Sequence, residues 1–184
     1  MAKIIEDARE KILRAARDIA AAQGTENLCM RAVAQSCGLA LGTIYNYFPT
    51  KTDLLLELMA GMWDEFLAEA AEEAAREPDF FAALHGVYTR MQACAARFKA
   101  AWLTPPFYRM PGGVQRGLVR ERDYFSRLAA LLTQLLERAR DSGQIAPKKS
   151  VPDTARFILL NFMAMARQPS FSYELFEEFL KELV

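Results

Sequence analysis

Along almost the whole chain, apolar residues recur at intervals of three and four, and no run of alternating apolar and polar residues is long enough for a strand. That periodicity confines the chain to an all-α fold. Residues 4–22 set Ile5, Ala8, Ile12, Ala15, Ile19 and Ala22 on one stripe, with Gly24 as the stop. Two short helices are predicted at Met30–Cys37 and Leu41–Tyr47, separated by Gly38, Leu39 and Ala40. Pro49 cannot continue a helix, and Thr50 and Asp53 have the spacing of a capping box opening a long helix. That helix carries Leu55, Leu58, Met62, Phe66 and Ala70 and runs to about Arg76, where Pro78 breaks it. A further helix carries Phe81, Leu84, Tyr88, Met91, Ala95, Phe98 and Trp102 until Pro105 and Pro106. Residues 104–113 hold at most a short helix between breakers, followed by helices over 114–141, 152–167 and 171–183. About nine helices are expected in all.

Several functions are disfavoured at once. Apolar stretches are interrupted by charge well before ~18 residues, so no membrane span or membrane partner is expected. The opening MAKIIEDAREK mixes both charge signs and lacks an apolar core, so it does not read as a signal peptide, and a cytoplasmic protein is expected. Cys29, Cys37 and Cys94 form no CxxC pair and His85 is the single histidine, so neither a metal site nor a cofactor is expected. No HExxH, nucleophile elbow or Gly-rich phosphate loop is present, which makes an enzyme the least favoured reading. The formal net charge is zero, yet residues 1–51 carry seven bases against five acids. A small surplus of that sign suits a surface facing nucleic acid.

The most informative segment is Leu28–Leu55, LCMRAVAQSCGLALGTIYNYFPTKTDLL. Two short helices joined by a glycine-containing turn make a helix-turn-helix. Ala34 is small enough for helices to cross closely, Gly38 supplies a turn residue, and Val33, Cys37, Leu39, Ile44 and Phe48 are spaced to bury. Left outward on the second short helix are Leu41, Gly42, Thr43, Tyr45, Asn46 and Tyr47.

This run resembles the DNA-binding domain of the TetR family of transcriptional regulators, through Gly38-Leu39, the string from Gly42 to Pro49, and Lys51, Leu54 and Leu55. The resemblance covers residues 5–55. It implies a helix-turn-helix DNA-binding domain at 1–50 and a helical regulatory, ligand-binding and dimerisation domain at 51–184. It also implies a repressor released from a palindromic operator by a small hydrophobic effector, with double-stranded DNA and a second copy of the chain as partners. A regulator of the same fold controlled by a protein partner, or without a ligand, is the alternative.

Similarity and chemistry together suggest roles. Thr43, Tyr45, Tyr47 and Lys51 suit phosphate contacts, Arg31 a guanine edge, Asn46 an adenine edge, and Leu41 or the Thr43 methyl a thymine methyl, while Gly42 admits close approach to the groove. Competing readings make Tyr45 and Tyr47 core aromatics, pair Arg31 with Glu26, and leave Asn46 and Lys51 merely solvated. Cys29 and Ala40 stand where the family commonly has a hydroxyl residue opening a helix, so both caps are expected to be lost.

In the body, family resemblance places dimer contacts on the last two helices, with Phe157, Leu160, Met163 and Ala164 on one and Phe176, Phe179, Leu180 and Leu183 on the other. Candidate effector contacts combine aromatic walls with a few polar anchors. They are His85, Tyr88, Met91, Gln92 and Trp102; Phe107, Tyr108 and Met110 in the segment between breakers; and Phe125, Asn161 and Phe162. Ordinary core packing is the competing reading for Tyr88, Met91, Trp102 and Phe125.

Overall fold

The computed structural model describes residues 7–25, 27–102, 113–168 and 171–184. Among them are eight helices and no strand: α1 (Ala8–Gln23), α2 (Met30–Cys37), α3 (Leu41–Tyr47), α4 (Lys51–Arg76), α5 (Phe80–Trp102), α6 (Gly113–Asp141), α7 (Val151–Arg167) and α8 (Tyr173–Lys181). The short helix considered for 104–113 falls on residues outside that description, except for Gly113, which opens α6.

Helix starts follow local chemistry. The Thr50–Asp53 box is complete: the Thr50 hydroxyl oxygen accepts from the Asp53 N–H at 3.1 Å, and the Asp53 carboxylate accepts from the Thr50 N–H at 3.0 Å. Ser150 caps α7, with Pro152 in its first turn, and Ser172 caps α8 by accepting from the Leu175 N–H. That cap explains why the last helix begins at Tyr173 rather than 171.

The chain packs as two compact units, one of Met1–Met62 with Arg97–Val119, the other of Trp63–Ala96 with Arg120–Val184. The first takes in the opening of α4, beyond the division expected at residue 50. Two helices as short as α2 and α3 cannot cover their own apolar sides, and Leu54, Leu55, Leu58 and Met59 of α4 close the core around Ile12, Leu28, Val33 and Ile44.

In the second unit, Trp63 and Phe66 meet edge to face, and Trp63 stacks on Tyr124 with centroids 5.7 Å apart. An ion pair joins Arg127 to Asp64 at 2.6 Å, and Arg90 reaches both Glu69 and Glu73. Gln144, from the loop after α6, accepts from the Phe80 N–H at 2.8 Å and so caps α5 from a distance. Gly86 makes room for the Arg90–Glu73 pair, since a Cβ there would come within 2.9 Å of the Glu73 Cγ. The Arg90 hydrogen bond holds the Glu73 carboxyl below its ordinary 4.5. Because that pKa is depressed in the folded state, the stabilisation is full above 4.5 and is lost as pH falls through the lowered value. A Gly86→Ala protein, with the pair displaced, is expected to lose less stability than wild type across that acid range in thermal melts. Equal losses would show that the pair does not respond to the added methyl.

Candidate nucleic-acid interface

The turn between α2 and α3 rests on Gly38, at φ +68, where the Leu39 N–H reaches back to the Ala34 carbonyl at 3.0 Å. A Cβ on Gly38 would meet nothing within 4 Å, so the backbone angle, not crowding, calls for glycine. The loss of a cap at Cys29 does not occur: its sulfur accepts from the Ala32 N–H at 3.4 Å, a sulfur in place of the usual oxygen. Ala40 offers α3 no side-chain cap.

Ile44 is the one residue of α3 that is fully buried, and Phe48, its C-cap, is buried beside it. These two apolar anchors orient everything else on the helix. Gly42, Tyr45, Asn46 and Tyr47 are exposed; Thr43 and, at the start of α4, Lys51 are half-buried; Arg31 is exposed on α2. Tyr45 and Tyr47 keep 46% and 39% of their surfaces open, so neither is a core aromatic. Leu41 differs from expectation. It is half-buried and packs on the core of the first unit, so much of its apolar surface is already used. Glu26, the proposed alternative partner of Arg31, lies outside the described residues.

Arg9 was not foreseen as part of this surface. It forms an ion pair with Glu57 of α4, and its guanidinium lies 5.9 Å from the Phe48 ring centroid. Arg9 thereby ties α1 to α4 and to the end of α3. Contacts across such long sequence separations leave no periodic trace in the sequence.

Among the effector candidates, Tyr88, Met91 and Phe162 are buried, Phe125 and Asn161 are half-buried, and His85 and Gln92 are exposed. The Asn161 amide already donates to the Phe157 carbonyl at 2.8 Å. Phe125 meets Trp63 edge to face rather than joining Tyr88. Trp102 belongs to α5, but its side chain is outside the description, as are Phe107, Tyr108 and Met110 entirely. The fold does bring His85, Tyr88 and Phe162 together, around Tyr173, which sequence reasoning missed. The Gln92 amide donates to the Tyr88 hydroxyl oxygen at 2.6 Å, and burial pushes the Tyr88 phenol above its ordinary range.

Residues 12–58 match the profile of bacterial regulatory proteins of the tetR family. This stretch is similar to the DNA-binding domain of the TetR family. Its TetR-type head is 34% identical over 73 residues to the HTH-type transcriptional repressor KstR of Rhodococcus jostii (strain RHA1), a match covering 40% of this chain and 34% of that protein. The chain thus matches about a third of the length of this curated relative. A transcriptional regulator from Cytophaga hutchinsonii superposes with a TM-score of 0.75 at 15% identity, over 96% of this chain and 92% of that one. Thermus thermophilus FadR, a TetR-family transcriptional repressor solved with lauroyl-CoA, gives 0.57 at 24% identity, over 89% and 86%. These likenesses speak to the TetR fold of the whole.

On the last two helices of this TetR fold, the apolar residues divide into two sets. Phe176 and Leu180 are fully buried, which corrects their assignment to a surface. Each fills the chain's own core, Phe176 edge to face with Phe162 at 5.6 Å. Leu160 and Phe179, each 58% exposed, point outward with Phe157 and Leu183. Leu175, also exposed, joins them and was not foreseen. Ala164 is exposed and Met163 half-buried. Among the described residues, no group of three or more His, Cys, Asp or Glu is placed to hold a metal, and no helix is long and apolar enough to cross a membrane.

Proposed function

We propose that this chain is a transcriptional repressor that grips double-stranded DNA with α3 and the neighbouring Arg31 and Lys51. A second copy pairs with it through α7 and α8, and a small uncharged effector releases the DNA. The supporting observation is α3 itself. A seven-residue helix anchored by Ile44 and Phe48 leaves two large aromatic rings, an amide and a glycine uncovered, a surface with no evident purpose within the chain. Tyr45, Tyr47, Thr43 and Lys51 serve the phosphates, with Lys51 at the positive end of α4. Arg31 and Asn46 carry the paired polar atoms that guanine and adenine edges call for, and Leu41 keeps its exposed part for a thymine methyl. In a two-fold dimer the two α3 helices would enter successive major grooves, about 34–36 Å apart.

The effector part draws on the body's aromatic residues. That Tyr88, Met91 and Phe162 are already packed favours a second reading, control by a protein partner through the same DNA-binding head.

Anisotropy titrations against operator and random DNA over a range of salt test the DNA assignment. Lys51→Ala and Tyr45→Phe should weaken binding to both, and Lys51→Ala should lower the salt slope by about one unit. Arg31→Ala and Asn46→Ala should instead relax preference at one base pair per half-site, by about 1–3 kcal/mol. Equal losses on both DNAs in all four variants would mean that base readout lies elsewhere.

A further inference from the structure

Tyr173 opens α8 with its ring buried and its hydroxyl without a hydrogen-bond partner among the described residues. Buried tyrosines normally find a partner for that group, and leaving it unpaired is destabilising. The Tyr88 hydroxyl, on a ring stacked against Tyr173, takes its hydrogen bond from Gln92. The rest of the surroundings are rings. His85 stacks on Tyr173 with centroids 4.4 Å apart, Tyr88 stacks at 4.9 Å, and Phe176 and Phe162 stand at 5.7 and 6.3 Å. Of these, His85 is exposed, so its imidazole covers Tyr173 from the solvent side without being part of the core.

The local field selects among ligands. Burial, then the Glu177 carboxylate, hold the Tyr173 phenol far above its ordinary range, so it stays a neutral O–H donor. The Glu174 carboxylate acts in the same direction on Tyr88. Lys181 already pairs with Glu177 at 2.5 Å, so burial among the rings is the stronger selector: a carboxylate or phosphate brought here would lose its hydration, whereas a neutral acceptor would lose far less.

We propose that the Tyr173 hydroxyl anchors the effector by donating to the carbonyl oxygen of a small, flat, uncharged ketone, whose ring replaces the His85 imidazole against Tyr173. The inference rests on the effector reading above and adds the anchor and the ligand class to it.

The test compares 2-acetylnaphthalene with 2-ethylnaphthalene, which differ essentially in the carbonyl, on the full chain. Without ligand, Tyr173→Phe should melt about 2–4 °C above wild type, because the substitution removes an unpaired hydroxyl and keeps the ring. Wild type should bind the ketone up to about tenfold more tightly than the hydrocarbon, the range of one hydrogen bond, and Tyr173→Phe should bind the two alike. His85→Ala should tighten ketone binding by removing the group to be displaced. An unchanged or lower melting temperature in Tyr173→Phe means that the hydroxyl already has a partner, and overturns the inference. So does absent ketone binding, a ketone preference that survives in Tyr173→Phe, or weaker ketone binding in His85→Ala. Operator affinity is read separately. A ketone held through Tyr173 that leaves it unchanged overturns the effector reading but not the site, and intact DNA binding with no ketone preference does the reverse.

Discussion

Glutamate at Leu160 and Phe179 together should give a folded, soluble monomer, whereas glutamate at Phe176 and Leu180 should give no folded protein. The two pairs sit on the same two helices, or on one of them, and read almost alike in the sequence. Their burial separates them. Leu160 and Phe179 are each 58% exposed, so a carboxylate there stays hydrated in the monomer and costs little. In a dimer formed through this face, it would be buried opposite apolar surface without a partner, which a stable interface of at least about 1,200 Å² does not tolerate. Sedimentation should show a species near 21 kDa with wild-type helix content, set against the chain mass of 20.8 kDa. Operator affinity should fall by about 10²–10⁴-fold, because each half-site is then bound without the second. Phe176 and Leu180 are fully buried, and truncation alone at such sites costs about 2–5 kcal/mol. An unpaired charge adds to that, against a total stability of about 5–15 kcal/mol. A dimeric Leu160→Glu/Phe179→Glu protein would place the interface elsewhere, and a well-folded Phe176→Glu/Leu180→Glu protein would contradict the packing described for α8.

Gly42→Ala should move stability and DNA binding in opposite directions. Glycine inside an exposed helix costs about 1 kcal/mol relative to alanine. Nothing among the described residues offsets that cost: Gly42 is not among the glycines with positive φ, and a Cβ there would meet no atom outside its own helix backbone within 4 Å. The missing side chain therefore serves no contact within the described chain. If α3 lies in a groove with its backbone close to DNA, as proposed, the bare Cα is what permits the approach. The alanine variant should melt about 2–4 °C higher, while operator affinity drops at least tenfold, the equivalent of about 1.4 kcal/mol. Unchanged operator affinity in a stabilised variant would move the close approach away from Gly42.

Much of this was legible because the determinants are local. Helix periods, the break at Pro78, the Thr50–Asp53 box and the positive φ at Gly38 each depend on residues within a few positions of one another. The limits of α2 and α3 follow the sequence spacing for the same reason, as does the exposure of Gly42, Tyr45, Asn46 and Tyr47 once Ile44 and Phe48 are assigned to the core, whereas Leu41 packs partly inward. The Cys29 cap was misjudged because a sulfur at the right backbone angle can accept a hydrogen bond that residue preferences assign to oxygen.

The sequence by itself therefore determined the helical class, the helix-turn-helix and the surface that α3 turns outward, since a period of 3.6 residues and a few anchors suffice for these. Tertiary structure alone decided which apolar residues of α7 and α8 face inward. Both helices carry apolar residues on more than one side, and only the position of Phe162 relative to Phe176 tells core from surface. It likewise decided that α4 completes the core of the first unit, that Arg9 reaches Glu57 and Phe48, and that Tyr173 ends among His85, Tyr88 and Phe162 with a hydroxyl that has no partner among the described residues. Those contacts join residues dozens of positions apart, and their energy depends on a proximity that no local spacing encodes.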